Sequence, residues 1–531
     1  MSTFVSKHIT ADMEPPKSGP YRAILFTGWS WIILLFILVM VNAIQANFWA
    51  GDDVSWMNFV TRGMKTIWSE PSLYGHYRPF FGTWLWGFKN VGLDQPIPLT
   101  IAGIMVILLS FFFAFRLFGY WLEKNTAFLA AVILTIHPLR EPHFFWLSAQ
   151  IDSWCLALSL GCLFIALKFR AEKGRNVSAM ILIPGLTLFA CMCKEIALLL
   201  PLLVFILPGQ CPVRRRFSTA VLSGIGAMLY ALSTLILFTR KANFVFLVKG
   251  FQLKKLLYYP HQLFWPTDLS DLAMKARLNG EFLPLLLLAF FILIMLLFLG
   301  WICLRFRKEN WVLAGLILVL AGAAVCIFDS DHRGLGLGCA GIAVILAGAA
   351  PRLQPKKTIF FSLLTINVLA ISWLPCWLQY HDAWRDAKMY SRILTNDIRD
   401  TRNRIGPSYF LVALGTPLSI KGSIWPSYVE ELDECSISLS QIKVAKGMGK
   451  LQAEKIQNGL YRLKTADMNP FSNVSPSYEG SGVVEAFILK GKYVFSLEYD
   501  PLLFNWFHSD CSRVPYFLYW NGKNLIPLNT D

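Results

Sequence analysis

From Leu25 to Ile44 the chain is predominantly apolar, and runs of this kind return at intervals as far as residue 378. They fall at roughly 25–44, 98–115, 126–139, 151–168, 177–192, 196–208, 218–238, 282–304, 311–328, 335–350 and 359–378. The longer ones have the ~20 residues that a helix needs to cross a ~30 Å hydrocarbon core. The shorter ones suit tilted or partly broken helices. The pattern predicts an α-helical polytopic membrane protein with about eleven spans. The first run is too long for a signal-peptide core and lacks a small-x-small cleavage site, so it reads as an uncleaved span.

Orientation follows from the short connections, because Lys and Arg gather on the cytoplasmic side. With residues 1–24 as a cytoplasmic tail, the inner loops are "FRLFGYWLEKN", "KFRAEKGR", "PVRRRF", "RFRKEN" and "PRLQPKK", each with two to four Lys or Arg. The intervening "HPLREPHFFWLSAQ", "CKE" and "DSDHRG" carry one apiece. A spanning domain, 25–378, then presents outer loops 45–97 and 239–281, with residues 379–531 on the same extracytoplasmic face. Within the second loop, "FVFLVKGFQLKKLLYYPHQLFWP" (244–266) reads as an amphipathic helix in the headgroup plane, ended at Pro260, or as a loop helix packed on the bundle.

Beyond residue 379 the pattern changes. "SYFLVALG", "CSISLSQIKVA", "GVVEAFILKGKYVFSLEYD" and "VPYFLYWNGKNLIPL" look like strands, and Asn521-Gly522 supplies a type I′ hairpin turn. This predicts an extracytoplasmic mixed α/β domain over 379–531. In an oxidising compartment Cys435 and Cys511 could form a disulfide, although two cysteines alone do not prove one.

Composition agrees with a membrane protein. Of 531 residues, 55% are hydrophobic and 15% charged, with a mean hydropathy of +0.49. A soluble domain carries nearer a quarter charged residues. The net charge of +16 does not indicate nucleic acid, since no basic stretch stands apart from an apolar run; it reflects topology and anionic lipid. Most cysteines lie in or beside apolar runs, where they behave as small hydrophobes. Cys191 and Cys193 in "ACMCKE" lack nearby partners for a metal site and read as packing.

Polar chemistry accumulates on the outer face. "NFWAGDDVSWMNFV" sets Asp52 and Asp53 just beyond the first span, between Trp49 and Trp56. With them come His76, Tyr77 and Arg78 in "YGHYRPF"; His137, Arg140, Glu141 and His143 in "HPLREPHFFW"; Gln150 and Asp152. Lys194 and Glu195 in "CKE", and Asp329, Asp331, His332 and Arg333 in "DSDHRG", complete the set. Ionisable groups at bilayer depth are costly, so they line a cavity or pair with each other. The inner face offers only loose Lys and Arg, and this asymmetry favours a site over helix anchoring. Arg and Lys would hold an anionic group such as phosphate, and a carboxylate would take or orient a proton from a hydroxyl. An unperturbed Asp, with a pKa near ~3.9, is a poor base for an alcohol unless the hydroxyl becomes acidic late in the reaction. The flanking tryptophans suit a sugar face or the interfacial belt, the belt being the commoner use.

"GDDVSW…HYRPFFGTWLW", "HPLREPHFFWLSAQIDSWCLALSL" and "CKEIALLLPLLV", in that order, resemble the GT-C superfamily of multispan glycosyltransferases. The nearest likeness is to the protein O-mannosyltransferase-like branch, including its TPR-bearing transmembrane members. It covers about residues 25 to 385, with "LLYYPHQLFWP" and "DSDHRGLGLG" resembling later elements. The resemblance implies a polyprenyl-phosphate-linked sugar donor and inversion at the anomeric carbon. It implies a base in the Asp52-Asp53 pair, with Asp53 favoured and Asp52 as its support. It makes Arg78, Lys194 and Arg333 donor-phosphate ligands, with His76, Tyr77, His137, Glu141 and Glu195 lining the site. Adjacent carboxylates repel, so one of the pair could bind a cation or a loop amide while the other works. No TPR array follows the last span, so an acceptor held by such repeats is not implied. The "DSDHRG" element also lacks the Arg-Tyr pair of those relatives.

The leading expectation is a glycosyltransferase of a bacterial inner membrane, moving sugar from that donor to an extracytoplasmic glycan, lipid or protein. No cofactor is demanded, although a divalent cation could accompany the acids. The alternatives are a transporter or flippase of a lipid-linked saccharide, and an inactive relative serving as an assembly factor. Transporters often show paired halves with broken helices at the midplane; no such repeat is visible here.

Overall fold

In the computed structural model the described residues are 41, 53–72, 76–171, 177–209, 211–238, 256, 259–264, 282–328, 335–349, 384–390, 392–406, 409–414, 437–439, 451–457, 460–465, 484–489, 492–498, 514–520, 524–527 and 529–530. The apolar runs at 25–44 (residue 41 apart) and 359–378 lie outside them, as do Asp52, Arg333, Cys435 and Cys511.

Three short helices open the described chain: α1 (Asp53–Thr61), α2 (Met64–Ser69) and α3 (Pro79–Asn90). The bundle follows as α4 (Pro96–Phe118), α5 (Lys124–Ile136), the single-turn α6 (Glu141–Phe145), α7 (Gln150–Ala171), α8 (Val177–Cys193) and α9 (Leu200–Ile206). After these come α10 (Val213–Phe238), α11 (Tyr259–Phe264), α12 (Leu283–Arg305), α13 (Asn310–Phe328) and α14 (Gly336–Ala349). Proline opens α3 and α4 within their first turn, where its missing N–H costs no helical bond.

Five described helices are long and apolar enough to cross a membrane: Pro96–Phe118, Leu147–Ala171, Val213–Leu237, Leu285–Arg305 and Asn310–Ile327. Four further apolar helices, Lys124–Ile136, Val177–Cys193, Glu195–Ile206 and Gly336–Ala349, are shorter. The count of eleven spans is therefore not reached among the described residues. Breaks in the chain account for some of the shortfall. Pro138 forces His137 into extended backbone (φ −57°, ψ 131°) and ends α5. Lys194 (φ −153°, ψ 137°) interrupts the run between α8 and the 3₁₀ turn Glu195–Leu199.

Burial sorts the helices into lining and centre. Only 17% of the apolar window is buried in Val213–Leu237 and in Leu285–Arg305, against 83% in Leu147–Ala171. Exposed Ile236, Leu286, Phe290, Leu297 and Leu304 would be an aggregation hazard in water but are an ordinary surface in hydrocarbon. α7 is thus the axial helix, and it carries Gln150, Asp152 and Ser153 into the interior at its N-terminal end. Glycines let α13 and α14 touch backbone to backbone: a Cβ on Gly341 would collide with the Gly315 carbonyl, and one on Gly338 with the Tyr259 hydroxyl.

That hydroxyl, lodged between the two helices, donates to the Val319 carbonyl at 2.6 Å. The expectation of a helix ended at Pro260 is overturned. The described helix α11 runs on through Pro260 to Phe264, so the proline does not end it. Tyr259, His261, Gln262, Leu263 and Phe264 are all buried, while the rest of the 244–266 stretch, residue 256 apart, lies outside the described residues.

Towards the C-terminus a mixed four-stranded sheet runs in the order β2 (Ile437–Leu439), β1 (Tyr409–Leu414), β7 (Val514–Trp520), β8 (Leu525–Pro527). Helical residues 392–405 cover it: Leu394 and Ile398 meet Leu411, Leu518 and Leu525, and the Leu525 N–H donates to Asp397 Oδ2 at 2.8 Å. A second sheet has the order β5 (Val484–Leu489), β6 (Lys492–Glu498), β4 (Leu460–Thr465), β3 (Leu451–Gln457), β9 (Asn529–Thr530). The two-residue hairpin expected at Asn521-Gly522 is not formed, since Trp520 pairs with Leu525 and leaves four residues between. In its place Gln457 pairs with Leu460, and the two residues between them are Asn458 and Gly459.

Candidate functional site

Side chains from four separate stretches converge at the end of the bundle where α7 begins. The backbone at Lys194 explains part of this. Successive side chains of an extended segment point to opposite sides, so Lys194 and Glu195 diverge towards different partners. Lys194 Nζ donates to Asp152 Oδ1 on α7 at 2.7 Å, with both side chains nearly enclosed at 6% and 3% exposure. Glu195 turns the other way, where Oε1 lies 3.0 Å from His76 Nδ1 and Oε2 accepts from Arg78 at 3.3 Å. This outer group is more open, His76, Arg78 and Glu195 being 23%, 16% and 13% exposed. The result is a two-tier arrangement, an enclosed ion pair behind an accessible one.

The electrostatics follow from the pairing. Burial alone would raise the Glu195 carboxyl, but Arg78 and His76 outweigh it and hold it down at about 2. Glu195 is therefore a fixed anion and too weak a base to take a proton from a hydroxyl. Burial would lower Arg78, yet Glu195 and then Asp152 raise it overall, so it stays cationic. Its Nε has no hydrogen-bond partner among the described residues. Arg140 is 2% exposed and pulled down to about 10 by burial, still a cation at neutral pH. It lies 3.3 Å from His143 Nδ1, which is itself 2.8 Å from Ser153 Oγ. Arg140 and Asp152 line a hollow of about 10 Å³, enough for a single water and far short of a sugar.

Several residues expected to line the site also make scaffold contacts. The Tyr77 hydroxyl donates to the Trp68 carbonyl at 3.2 Å, the Tyr230 hydroxyl donates to the Tyr77 carbonyl at 3.2 Å, and the two rings stack at 6.3 Å. His137 accepts at Nδ1 from the Leu139 N–H (3.2 Å) and donates from Nε2 to the Leu263 carbonyl (2.8 Å). Those partners assign it as a neutral imidazole tying the His-Pro turn to α11. Trp56, expected at a sugar face or the interfacial belt, is 4% exposed and packs edge-on against Phe59 and Phe81. Cys191 and Cys193 are wholly buried in the core. Glu141 opens α6; Asp52 and Arg333 lie outside the described residues.

Asp53, the first residue of α1, is fully buried. Its Oδ1 accepts from the Ser148 N–H at 2.7 Å and from the Ser148 hydroxyl at 2.5 Å. Ser148 sits in the 3₁₀ turn Leu147–Ala149 and escaped the sequence reading, as did Tyr230. A serine in the turn just before a long helix is a capping signal that could have drawn notice to it. Next to it, Gln150 Nε2 donates to the Leu99 carbonyl at 2.8 Å, in space left by Gly103.

The opposite end of the bundle differs in kind. There Arg170 Nε donates to Thr219 Oγ1 at 2.9 Å, Arg215 to the Arg170 carbonyl at 3.2 Å, and Arg216 to the Gly209 carbonyl at 2.8 Å. These cations dress helix ends, whose free carbonyls favour positive charge. Asp152 and Arg170 are eighteen residues apart on α7, roughly 27 Å at 1.5 Å per residue. That separation matches the hydrocarbon thickness.

No protein-family model matches the chain, and no curated protein sequence matches it. Among solved structures, ArnT from Cupriavidus metallidurans in the apo state aligns over 78% of this chain and 86% of its own, at 12% identity and a TM-score of 0.47. The same enzyme bound to undecaprenyl phosphate aligns over 71% and 73%, at 14% identity and a TM-score of 0.43. The Archaeoglobus fulgidus oligosaccharyltransferase tethered with an acceptor peptide aligns over 72% of this chain but 61% of its own, at 12% identity and a TM-score of 0.43. These likenesses of overall shape assign no residue of this chain a role.

Proposed function

We propose that this chain is a membrane glycosyltransferase that moves a sugar from a polyprenyl-phosphate-linked donor to an extracytoplasmic acceptor, with inversion. The observation that carries the reading is the two-tier charged cluster. Acids and bases from residues 76–78, Asp152 and residues 194–195 meet at one end of the bundle, while the other end holds Arg on a threonine hydroxyl and backbone carbonyls. A lipid-linked sugar would keep its tail in the bilayer and present its phosphate at the headgroup boundary, where such a cluster stands.

Arg78 is the residue best placed to hold phosphate, being partly open and having Nε free of a partner among the described residues. Its planar fork matches a phosphate edge. Lys194, enclosed on Asp152, supports this wall from behind; Arg333 joins the phosphate site on the sequence resemblance alone. A carboxylate of the Asp52-Asp53 pair takes the acceptor proton late, as the anomeric centre gains oxocarbenium character. We place the cluster outside the cytoplasm, in a bacterial inner membrane, with residues 379–531 as an extracytoplasmic domain.

Proteoliposomes holding a polyprenyl-phosphate hexose separate this reading from its rivals. Transfer releases free polyprenyl phosphate as sugar enters the acceptor. A transporter would move the intact lipid across the bilayer and release none, and an inactive relative would do neither.

A further inference from the structure

The enclosed ion pair is not complete as a pair. Asp152 gives Oδ1 to Lys194, but its Oδ2 is buried with no hydrogen-bond partner among the described residues. Arg140 is in a similar position. One end of its guanidinium lies against His143, while the buried Nε has no partner among the described residues. A carboxylate oxygen and a charged N–H are both expensive to leave unpaired in the interior.

These two residues line one hollow of about 10 Å³. Four parts of the chain close around it: the turn Pro138–Arg140, α7 through Asp152 and Ser159, the 3₁₀ turn through Ala197, and α14 through Gly336. A hollow of this size admits a single water-sized ligand. The orphaned atoms define its chemistry. Asp152 Oδ2 needs a donor and Arg140 Nε needs an acceptor, so the occupant must be both. A halide only accepts, and the carboxylate would repel it. A metal cation cannot accept from Nε, and it would stand close to the charges of Arg140 and Lys194. Ser159 adds a third polar residue to the wall, matching the roughly three hydrogen bonds that a buried water makes.

We propose that this hollow is a site for one buried water, which donates to Asp152 Oδ2 and accepts from Arg140 Nε. The enclosed tier is then a chain of Lys194, Asp152, water and Arg140, continuing through His143 to Ser153. It ties the turn after α5 to the axial helix, behind the more open group of His76, Arg78 and Glu195. The site stands whether or not the protein transfers sugar.

A pair of variants at Ala197, on the wall of the hollow, reads the occupant. Threonine and valine have nearly the same shape, and either would take the water's place. Only threonine brings a group that both donates and accepts. Full-length Ala197→Thr and Ala197→Val would be unfolded in mixed micelles by titration with a denaturing detergent. If the hollow holds water, valine strands both orphaned atoms, and its folded-to-unfolded ratio should fall about tenfold to a hundredfold below that of threonine. A dry hollow gives the opposite order, with valine at least as stable as threonine, and that result would overturn the proposal. Where either variant fails to fold, a high-resolution density map of the wild-type full chain decides. A peak within about 3.2 Å of both Asp152 Oδ2 and Arg140 Nε is the expected result. A hollow without density, or the two atoms paired directly with each other, would overturn it.

Discussion

Lys194 and Asp152 offer a quantitative test of the wall behind the site. Their 2.7 Å contact is almost sealed from solvent, with 6% and 3% of the side chains exposed. Removing one partner strands the other charge at that depth, which costs about 3–5 kcal/mol, or roughly 10²–10⁴ in the folded-to-unfolded ratio. Replacing both with apolar residues of similar volume removes the desolvation cost along with the attraction, and is near neutral or stabilising. The variants Lys194→Met, Asp152→Leu and the double change form a cycle. Unfolding would be followed in mixed micelles by titration with a denaturing detergent. Each single variant should lose about 3–5 kcal/mol and the double most of neither, giving a coupling energy of several kcal/mol. The double variant should also regain transfer activity, because Lys194 is assigned here as support. Single losses that simply add would refute the pairing argument. A well-folded double variant with no transfer would return Lys194 to direct contact with the donor.

Other expectations follow from neighbouring contacts. Arg78→Lys should be nearly as damaging to transfer as Arg78→Ala, about 10²-fold or more, since a point charge cannot reproduce the guanidinium fork; steady-state kinetics with the purified protein decide it. Gly103→Ala should lower the unfolding midpoint by the equivalent of about 1–3 kcal/mol, because its methyl would overlap the Gln150 amide and loosen the junction below Ser148. An alkaline phosphatase fusion after residue 385 should be active and a fluorescent cytoplasmic reporter at the same point dark; the reverse result would invert the topology.

Much of the bundle was legible because crossing a membrane demands long apolar runs. Runs expected at 282–304 and 311–328 are helices Leu283–Arg305 and Asn310–Phe328. Interruptions were harder to see. Extended backbone at Lys194 depends on where its neighbours find partners, and no local propensity announces it. Pro260 reads as a stop in the sequence, whereas the described helix continues past it to Phe264. The strands Leu451–Gln457 and Leu460–Thr465 went unnoticed because "LQAEKIQ" carries more polar residues than a typical strand.

The charged residues that meet where α7 begins were recognisable by type, but their pairing was not. "GDD" shows two equivalent acids, and the Ser148 donors that hold Asp53 are remote in sequence. Burial likewise packs Trp56 and Tyr77 into the core.

The central claim is that chemistry on a lipid-linked sugar occurs at the charged end of this bundle. Its most direct test is the time course of free polyprenyl phosphate released by the purified full chain from a polyprenyl-phosphate hexose and an envelope extract as acceptor. The account predicts steady release, one polyprenyl phosphate for each sugar transferred, a product of inverted anomeric configuration, and near-complete loss in Arg78→Ala. Intact donor at every time point, or equal release by folded Arg78→Ala, would contradict it.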